Sequence, residues 1–246
     1  MTTERGKTLI LTGASRGIGH ATVKRFGAAG WRIITVSRHS FSEDCPWDGG
    51  LENHVQLDLS NVDGIRQGIE LLRSKLDNGR LDALINNAGI SPKADDGGRL
   101  GTLNTDADDW HHVFNVNLFA PVLLARGLFQ ELKAAKGCIV NVTSIAGSRV
   151  HPFAGSAYAS SKAALAALTR EMAADFGPHG VRVNAIAPGE IDTPILSPGT
   201  EMMLEDIPLH RLGKPEEVAS TIYFLCSPQA SYVTGAEVHI NGGQHV

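Results

Sequence analysis

The sequence predicts an α/β protein built on an open, mostly parallel sheet, and three observations predict it. Short apolar runs of strand length, each closed by glycine, serine, asparagine, aspartate or proline, alternate with longer segments whose apolar residues recur at helical spacing. The runs are apolar almost throughout, as befits strands covered on both faces. The first of them passes through a glycine-rich turn straight into a helical pattern, which is half of a βαβ unit. With 246 residues, 42% of them hydrophobic and 20% charged, the chain is long enough to enclose a substantial core as one domain, residues 1–246.

Taken in order, Lys7 to Thr12 is the first strand, ended by Gly13, and Gly13-Ala-Ser-Arg-Gly-Ile-Gly19 turns into a helix through Ala21, Val23, Phe26 and Ala29 that stops at Gly30. Trp31 to Val36 is the second strand. His39 to Asn53, with Pro46, Gly49 and Gly50, reads as loop, and His54 to Leu57 is a third strand that delivers Asp58. Ile65, Ile69, Leu72 and Leu76 form a helical stripe assigned to the core. Leu81 to Ile85 is the fourth strand and runs into Asn86-Asn87-Ala88-Gly89. Ser91 to Thr105 has no apolar period and is long for a connection, so it is expected to border the site.

A helix is predicted from about Asp106 to Lys133, with Trp110, Phe114, Leu118 and Leu123 in the core. Pro121 inside it lacks the N–H that would bond the carbonyl of Asn117, which is therefore expected to be free near a bend and to take a water. Gly137 to Thr143 is the fifth strand, with Ser144 at its end. Ser156 is a candidate N-cap for a helix continued by Ala163 to Leu168, all good helix formers. Val181 to Ala187 is the sixth strand and ends in Pro188-Gly189. Glu190 to Pro208, proline-rich and carrying Met202, Met203 and Leu204, reads as a mobile lid over a partly apolar site. Pro215 to Leu225 is a last helix and Ala236 to Ile240 a last strand.

In open parallel sheets ligands bind outside the carboxyl ends of the strands. Gly13, Ser37, Asp58, Asn86 and Ser144 all follow strands and so share one rim. The glycines after the first strand either let backbone approach a pyrophosphate at a helix N-terminus or make a tight turn. A carboxylate at the end of the second strand would bond the ribose hydroxyls of NAD; here Ser37 and Arg38 stand there, with Arg16 in the glycine turn. Two guanidinium groups suit a 2′-phosphate, which favours NADP(H) over NAD(H) unless both face solvent. Asp58 either bonds an adenine amino group or caps the next helix.

Tyr158 and Lys162 are one helical turn apart on one face. A tyrosine with an ordinary pKa of about 10 is a poor base at neutral pH, and an ammonium held nearby favours the phenolate, so the pair can trade a proton with an alcohol or a carbonyl. His151 and Phe153, just upstream, either touch substrate or are solvated.

The formal charge of −4 comes without any run of one sign, so neither a nucleic-acid nor a membrane-surface footprint is expected. Cys45, Cys138 and Cys226 are widely spaced and odd in number, which fits reduced thiols in a cytoplasmic protein and no metal site. The first apolar run is too short for a signal peptide or a membrane span.

Together, Thr12-Gly-Ala-Ser-Arg-Gly-Ile-Gly19, Asn86-Asn-Ala-Gly89, Asn117, Ser144, Tyr158-x-x-x-Lys162 and Pro188-Gly189 resemble the short-chain dehydrogenases/reductases over essentially the whole chain. Arg211-Leu-Gly-Lys-Pro-Glu-Glu-Val-Ala219 and Thr234-Gly235 are similar to the bacterial 3-oxoacyl carrier-protein reductase branch. The resemblance implies a Rossmann-type, doubly wound parallel sheet of about seven strands with helices on both faces. A cofactor half would span about 1–145, and a catalytic and lid half about 144–246. It implies a tetrad in which Tyr158 is general acid/base, Ser144 bonds the substrate oxygen, Lys162 lowers the tyrosine pKa and holds the nicotinamide ribose, and the Asn117 water relays protons. It places cofactor contacts at Gly13, Ser15, Arg16, Ile18, Gly19, Ser37, Arg38, Asp58, Leu59, Asn86, Ala88, Gly89, Pro188, Gly189, Ile191 and Thr193, besides Tyr158 and Lys162. A small carbonyl or alcohol substrate and a homotetramer, or homodimer, are the implied partners. Two features depart from the pattern: the segment after Gly89 is longer, and Asn241-Gly-Gly243 replaces Asp-Gly-Gly, which bears on subunit contacts or the last turn.

Overall fold

The computed structural model describes residues 6–40, 50–193, 196 and 199–246. Seven strands, β1 (Thr8–Thr12), β2 (Arg32–Ser37), β3 (His54–Gln56), β4 (Ala83–Asn86), β5 (Cys138–Val142), β6 (Arg182–Pro188) and β7 (Glu237–Ile240), form one sheet in the order β3-β2-β1-β4-β5-β6-β7. Every pairing is parallel. Between them lie α1 (Gly17–Gly27), α2 (Val62–Ser74), α3 (Ala107–Phe114), α4 (Ala120–Gly127), α5 (Phe129–Ala135), α6 (Ser156–Phe176) and α7 (Pro215–Cys226).

Strand alternation sends neighbouring residues to opposite faces, and both faces are covered. Ile10 and Leu84 pack with Ile65, Leu72, Leu124 and Met172 of α2, α4 and α6. Leu9, Leu11 and Ile85 pack on the other side with Phe26, Val218, Ile222 and Leu225 of α1 and α7. This is the Rossmann-type, doubly wound arrangement expected. The predicted α2 stripe of Ile65, Ile69, Leu72 and Leu76 is buried throughout.

The stop at Gly30 is built as a left-handed residue (φ 80°). Gly30 N–H bonds Gly27 O at 2.9 Å and Trp31 N–H bonds Phe26 O at 3.2 Å, the paired bonds of a Schellman ending. At α6 the N-cap is Gly155, not Ser156. Ser156 is the first helical residue, and its N–H is held by Leu100 O at 2.8 Å.

The long helix expected over 106–133 is three pieces. Pro121 is accommodated by a π turn, Asn115–Phe119, in which Ala120 N–H reaches back five residues to Asn115 O. A second break at Leu128 bends the path by 59°. There Gly127 lies so close to α2 that an added Cβ would sit 2.4 Å from Ile69 Cδ1, and its carbonyl accepts from Arg73 Nη2. The buried stripe is Val113, Val116, Ala120, Leu124 and Leu128. Trp110, Phe114, Leu118 and Leu123, expected in the core, are only half-buried.

Asn241, where the family pattern has Asp, serves the last turn: its Oδ1 accepts from Gly243 N–H at 3.2 Å and hydrogen-bonds His245 Nδ1 at 2.8 Å. Cys138 and Cys226 are buried free thiols, whereas Cys45 and most of the His39–Asn53 loop lie outside the described residues. So does part of the expected lid, residues 194–195 and 197–198. Among the described residues no single helix is long and apolar enough to cross a membrane.

Candidate active site

At the carboxyl ends of the strands, where the order reverses between β1 and β4, a cavity of about 500 Å³ opens. Its floor is the glycine turn after β1. Gly13 (φ 70°) and Gly17 (φ 55°) are left-handed, and a Cβ on Gly13 would meet Ala88 Cα at 2.9 Å. The end of β4 is tied down here: Thr12 Oγ1 accepts from Asn87 and Ala88 N–H, each at 3.0 Å, and Asn87 Nδ2 donates to Gly13 O at 2.8 Å. Gly19 is packed hardest, since a Cβ there would lie 2.0 Å from Gly13 O and 2.8 Å from Asn87 Nδ2. Gly19→Ala is therefore expected to destabilise the fold by about 1–3 kcal/mol, read as a thermal midpoint several degrees lower.

α1 starts at this turn with Arg16 as N-cap, no side-chain cap and no acidic residue in its first turn. Its first N–H groups and positive dipole end therefore remain open to an anion. A glycine cradle too tight for Cβ atoms, an open helix terminus and a cavity of this size fit a dinucleotide.

Of the cofactor residues expected, Gly13, Ser15, Arg16, Ile18, Gly19, Ser37, Arg38, Asp58, Leu59, Ala88, Gly89, Tyr158, Lys162, Pro188, Gly189, Ile191 and Thr193 all line the cavity, as does Ser144. Arg16 and Arg38 are exposed, and among the described residues neither guanidinium makes an ion pair. Asp58 does not cap α2; Asn61 does, accepting from Gly64 N–H at 2.9 Å. Asp58 accepts from Ser60 N–H and Oγ, and the Ser60 N–H above all holds its carboxyl below the ordinary range.

Asn86 is not in the lining. Its side chain is buried behind the sheet, donating to Asn141 Oδ1 at 2.8 Å, and Asn87 takes its place at the cavity. Asn117 is fully buried and acts as a clamp: its Oδ1 accepts from Ile90 N–H at 2.9 Å, and its Nδ2 donates to Ile90 O and Ser161 Oγ, each at 3.0 Å. It flanks Lys162 across Gly89, where a Cβ would lie 3.2 Å from Lys162 Nζ and 3.5 Å from Asn117 Oδ1. Gly147 lets the turn after Ser144 lie against α6, a Cβ there reaching within 2.9 Å of Ala163 N.

Lys162 is 3% exposed, and its Nζ donates to Val142 O at 2.6 Å. Burial lowers its pKa to about 8. Tyr158 does not behave as the lysine partnership predicts. Enclosure of its hydroxyl raises its pKa, the Ser144 hydroxyl partly offsets this, and the Glu190 carboxylate adds to it. Lys162 is not among the causes: its ammonium is turned to Val142 O, 5.7 Å from the tyrosine ring centre. Tyr158 is thus held as a phenol at neutral pH.

His151, open to a solvated reading, is buried and bonded through Nε2 to Glu190 Oε1 at 2.6 Å. Glu190 was not singled out in the sequence; a carboxylate directly after Pro188-Gly189 is the signal that would have marked it. The 91–105 segment borders the site as expected, walling with Pro92, Leu100 and Thr105 a hollow of about 10 Å³ against Tyr158.

Residues 13–245 match a family model described as Enoyl-(Acyl carrier protein) reductase. The chain is 61% identical to Protein FixR of Bradyrhizobium diazoefficiens, over 98% of this chain and 87% of that protein. It is 36% identical to the 3-oxoacyl-[acyl-carrier-protein] reductase FabG of Thermotoga maritima, over 97% of each. A crystal structure of an oxidoreductase of the short chain dehydrogenase/reductase family from Brucella ovis, in complex with a partially ordered NAD, superposes with a TM-score of 0.84 at 59% identity, covering 97% of this chain and 100% of that one.

Proposed function

The chain belongs to the short-chain dehydrogenase/reductase family of oxidoreductases, and we propose that it interconverts a ketone and a secondary alcohol with NADP(H), Tyr158 serving as general acid/base. The observation that carries this reading is the meeting of Ser144, Tyr158 and Lys162 at one end of a cavity whose other end is the glycine cradle. Bound nicotinamide supplies or accepts the hydride at the carbonyl carbon. The chain does the rest. The glycine turn and the α1 N-terminus hold the pyrophosphate, Ile191 and Thr193 meet the nicotinamide end, and Ser144 orients the substrate oxygen. Tyr158 donates its proton to that oxygen in reduction and takes it back in oxidation. Lys162 holds the nicotinamide ribose, and a water on the Asn117 carbonyl, in the π turn, would return the proton.

The preference for NADP(H) rests on Arg16 and Arg38 at the cavity wall, with no carboxylate at the end of β2. Arg38→Ala is expected to weaken NADPH binding roughly 10- to 100-fold, the worth of one charge-assisted hydrogen bond, with NADH little changed. Cofactor fluorescence titration measures both, and equal losses would refute the assignment. One observation favours NAD(H) instead: the Brucella ovis oxidoreductase, 59% identical to this chain, is in complex with a partially ordered NAD.

A 3-oxoacyl thioester in place of a compact ketone is the second reading, which the FabG likeness brings. A screen of small ketones against acetoacetyl thioesters with NADPH separates the two. The half-buried stripe of Trp110, Phe114 and Leu118, with exposed Phe119, supports assembly into a homotetramer or homodimer, which light scattering tests. The free thiols Cys138 and Cys226 support a cytoplasmic location.

A further inference from the structure

The loop between Ser144 and α6 carries one half of a buried histidine–carboxylate pair that the proposed chemistry does not use. His151 Nδ1 faces two backbone donors, Phe153 N–H and Ala154 N–H, each at 3.2 Å. A ring nitrogen that accepts two N–H groups carries its lone pair, so the proton sits on Nε2, which donates to Glu190 Oε1 at 2.6 Å. The carboxylate, only 6% exposed, is thus met by a ring N–H, and the Lys93 ammonium also acts on it.

One of these peptide units, and the unit that follows it, are held from the other side. Lys93 Nζ donates to Phe153 O, the carbonyl of the peptide group whose N–H bonds His151, and Arg99 Nε donates to Ala154 O at 2.7 Å. Lys93 and Arg99 are paired across an antiparallel bridge within the 91–105 segment. A cation on a carbonyl polarises the peptide and strengthens donation by its N–H, so the chain of bonds from Lys93 to Glu190 runs in one direction. This gives the extra length of that segment a task. It clamps the two residues that fix the histidine.

Glu190 itself is fixed on the opposite wall. It follows Gly189, which lines the cavity with Ser144 and Tyr158, and its carbonyl accepts from Gly213 N–H at 2.9 Å. We propose that the His151–Glu190 pair is a positioning element for Tyr158: it ties the loop leading into α6 to the end of β6 and sets a buried carboxylate within reach of the phenol. The inference rests on Tyr158 being the proton-transferring group. The charged or titratable groups about the tyrosine are Glu190, Lys162 from its own helix and Asp109 from α3, with Lys93 of the 91–105 segment acting on Glu190. Of these, Glu190 is the one whose charge acts on Tyr158, and it opposes ionisation.

The test is the ionisation of Tyr158 followed by NMR of protein labelled at the tyrosine Cζ, with the Tyr158 signal assigned from Tyr158→Phe. In Glu190→Gln, which keeps the shape and can still accept from His151, the titration is expected to move to lower pH than in the unaltered protein. Glu190→Asp, which keeps the charge, is expected to stay on the unaltered side. Should the glutamine variant fail to fold, Glu190→Met removes the charge with an apolar side chain of similar length and reports the same shift. A Tyr158 titration that is unmoved or moves upward when the charge is removed would overturn the proposal, as would an aspartate variant that moves as far as the glutamine one. The readout needs neither cofactor nor substrate. If Tyr158→Phe retained full turnover, the proposed function would fall while this titration could still be read; if turnover were lost and the titration did not move, only the positioning role would fall.

Discussion

Replacing Tyr158 by Phe is expected to lower turnover roughly 10²- to 10⁴-fold, the span of a general acid–base contribution. The dissociation constant of the reduced dinucleotide should change by no more than about tenfold, since at most one hydrogen bond to it is lost. The substitution removes one oxygen from a half-buried side chain at the cavity wall and leaves the glycine cradle, the α1 terminus and the Asn117 clamp untouched. Binding and chemistry therefore separate. Steady-state rates on a reducible ketone, together with fluorescence titration of the cofactor, measure the two effects. An unchanged rate would sink the proposed mechanism.

That experiment rests on a site whose outline was largely legible in the sequence, because most of it is local. A strand, a glycine turn and a helix can be read from a dozen residues, and the strand ends that carry Ser37, Asp58 and Ser144 follow from the same apolar periodicity. What escaped reading has specific physical causes. Asn86 and Asn87 differ by one step of strand alternation, and that step decides which of them faces the cavity and which is buried against Asn141. A helical period does not say which apolar face meets the core, so a stripe drawn through the large aromatics lands on Trp110 and Phe114 when the buried face is Val113 and Val116. His151 and Glu190 are 39 residues apart, and no local pattern announces a bond of that separation.

The pKa directions belong to the same class, since they depend on burial rather than spacing. The i,i+4 rule puts Lys162 on the face of Tyr158 but says nothing about Val142 O, which takes its ammonium. A lysine 3% exposed with its pKa lowered to about 8 bears a cost in the folded state that the unfolded chain does not.

Lys162→Met makes that cost measurable. The ordinary value is 10.5 and the folded one about 8, a difference worth roughly 3 kcal/mol. Between these two pH values the unfolded chain holds the proton and the folded chain has released it, so the stability of the unaltered protein rises with pH across the window. Below pH 8 it carries the whole penalty. The methionine variant has nothing to titrate there, though it leaves Val142 O without its 2.6 Å donor, which costs about 1–3 kcal/mol on its own. The two effects are told apart by pH. The difference in thermal midpoint between the variant and the unaltered protein is expected to shift in favour of lysine by up to about 6–12 °C as pH rises from 8 to 10.5, the loss at Val142 O being constant throughout. A difference that does not change over that window would mean that the lysine is not ionised against its burial. Turnover should fall with the substitution most of all below pH 8, where the lysine is charged, which would show a side chain kept for its charge at the reacting end of the cavity at the expense of stability.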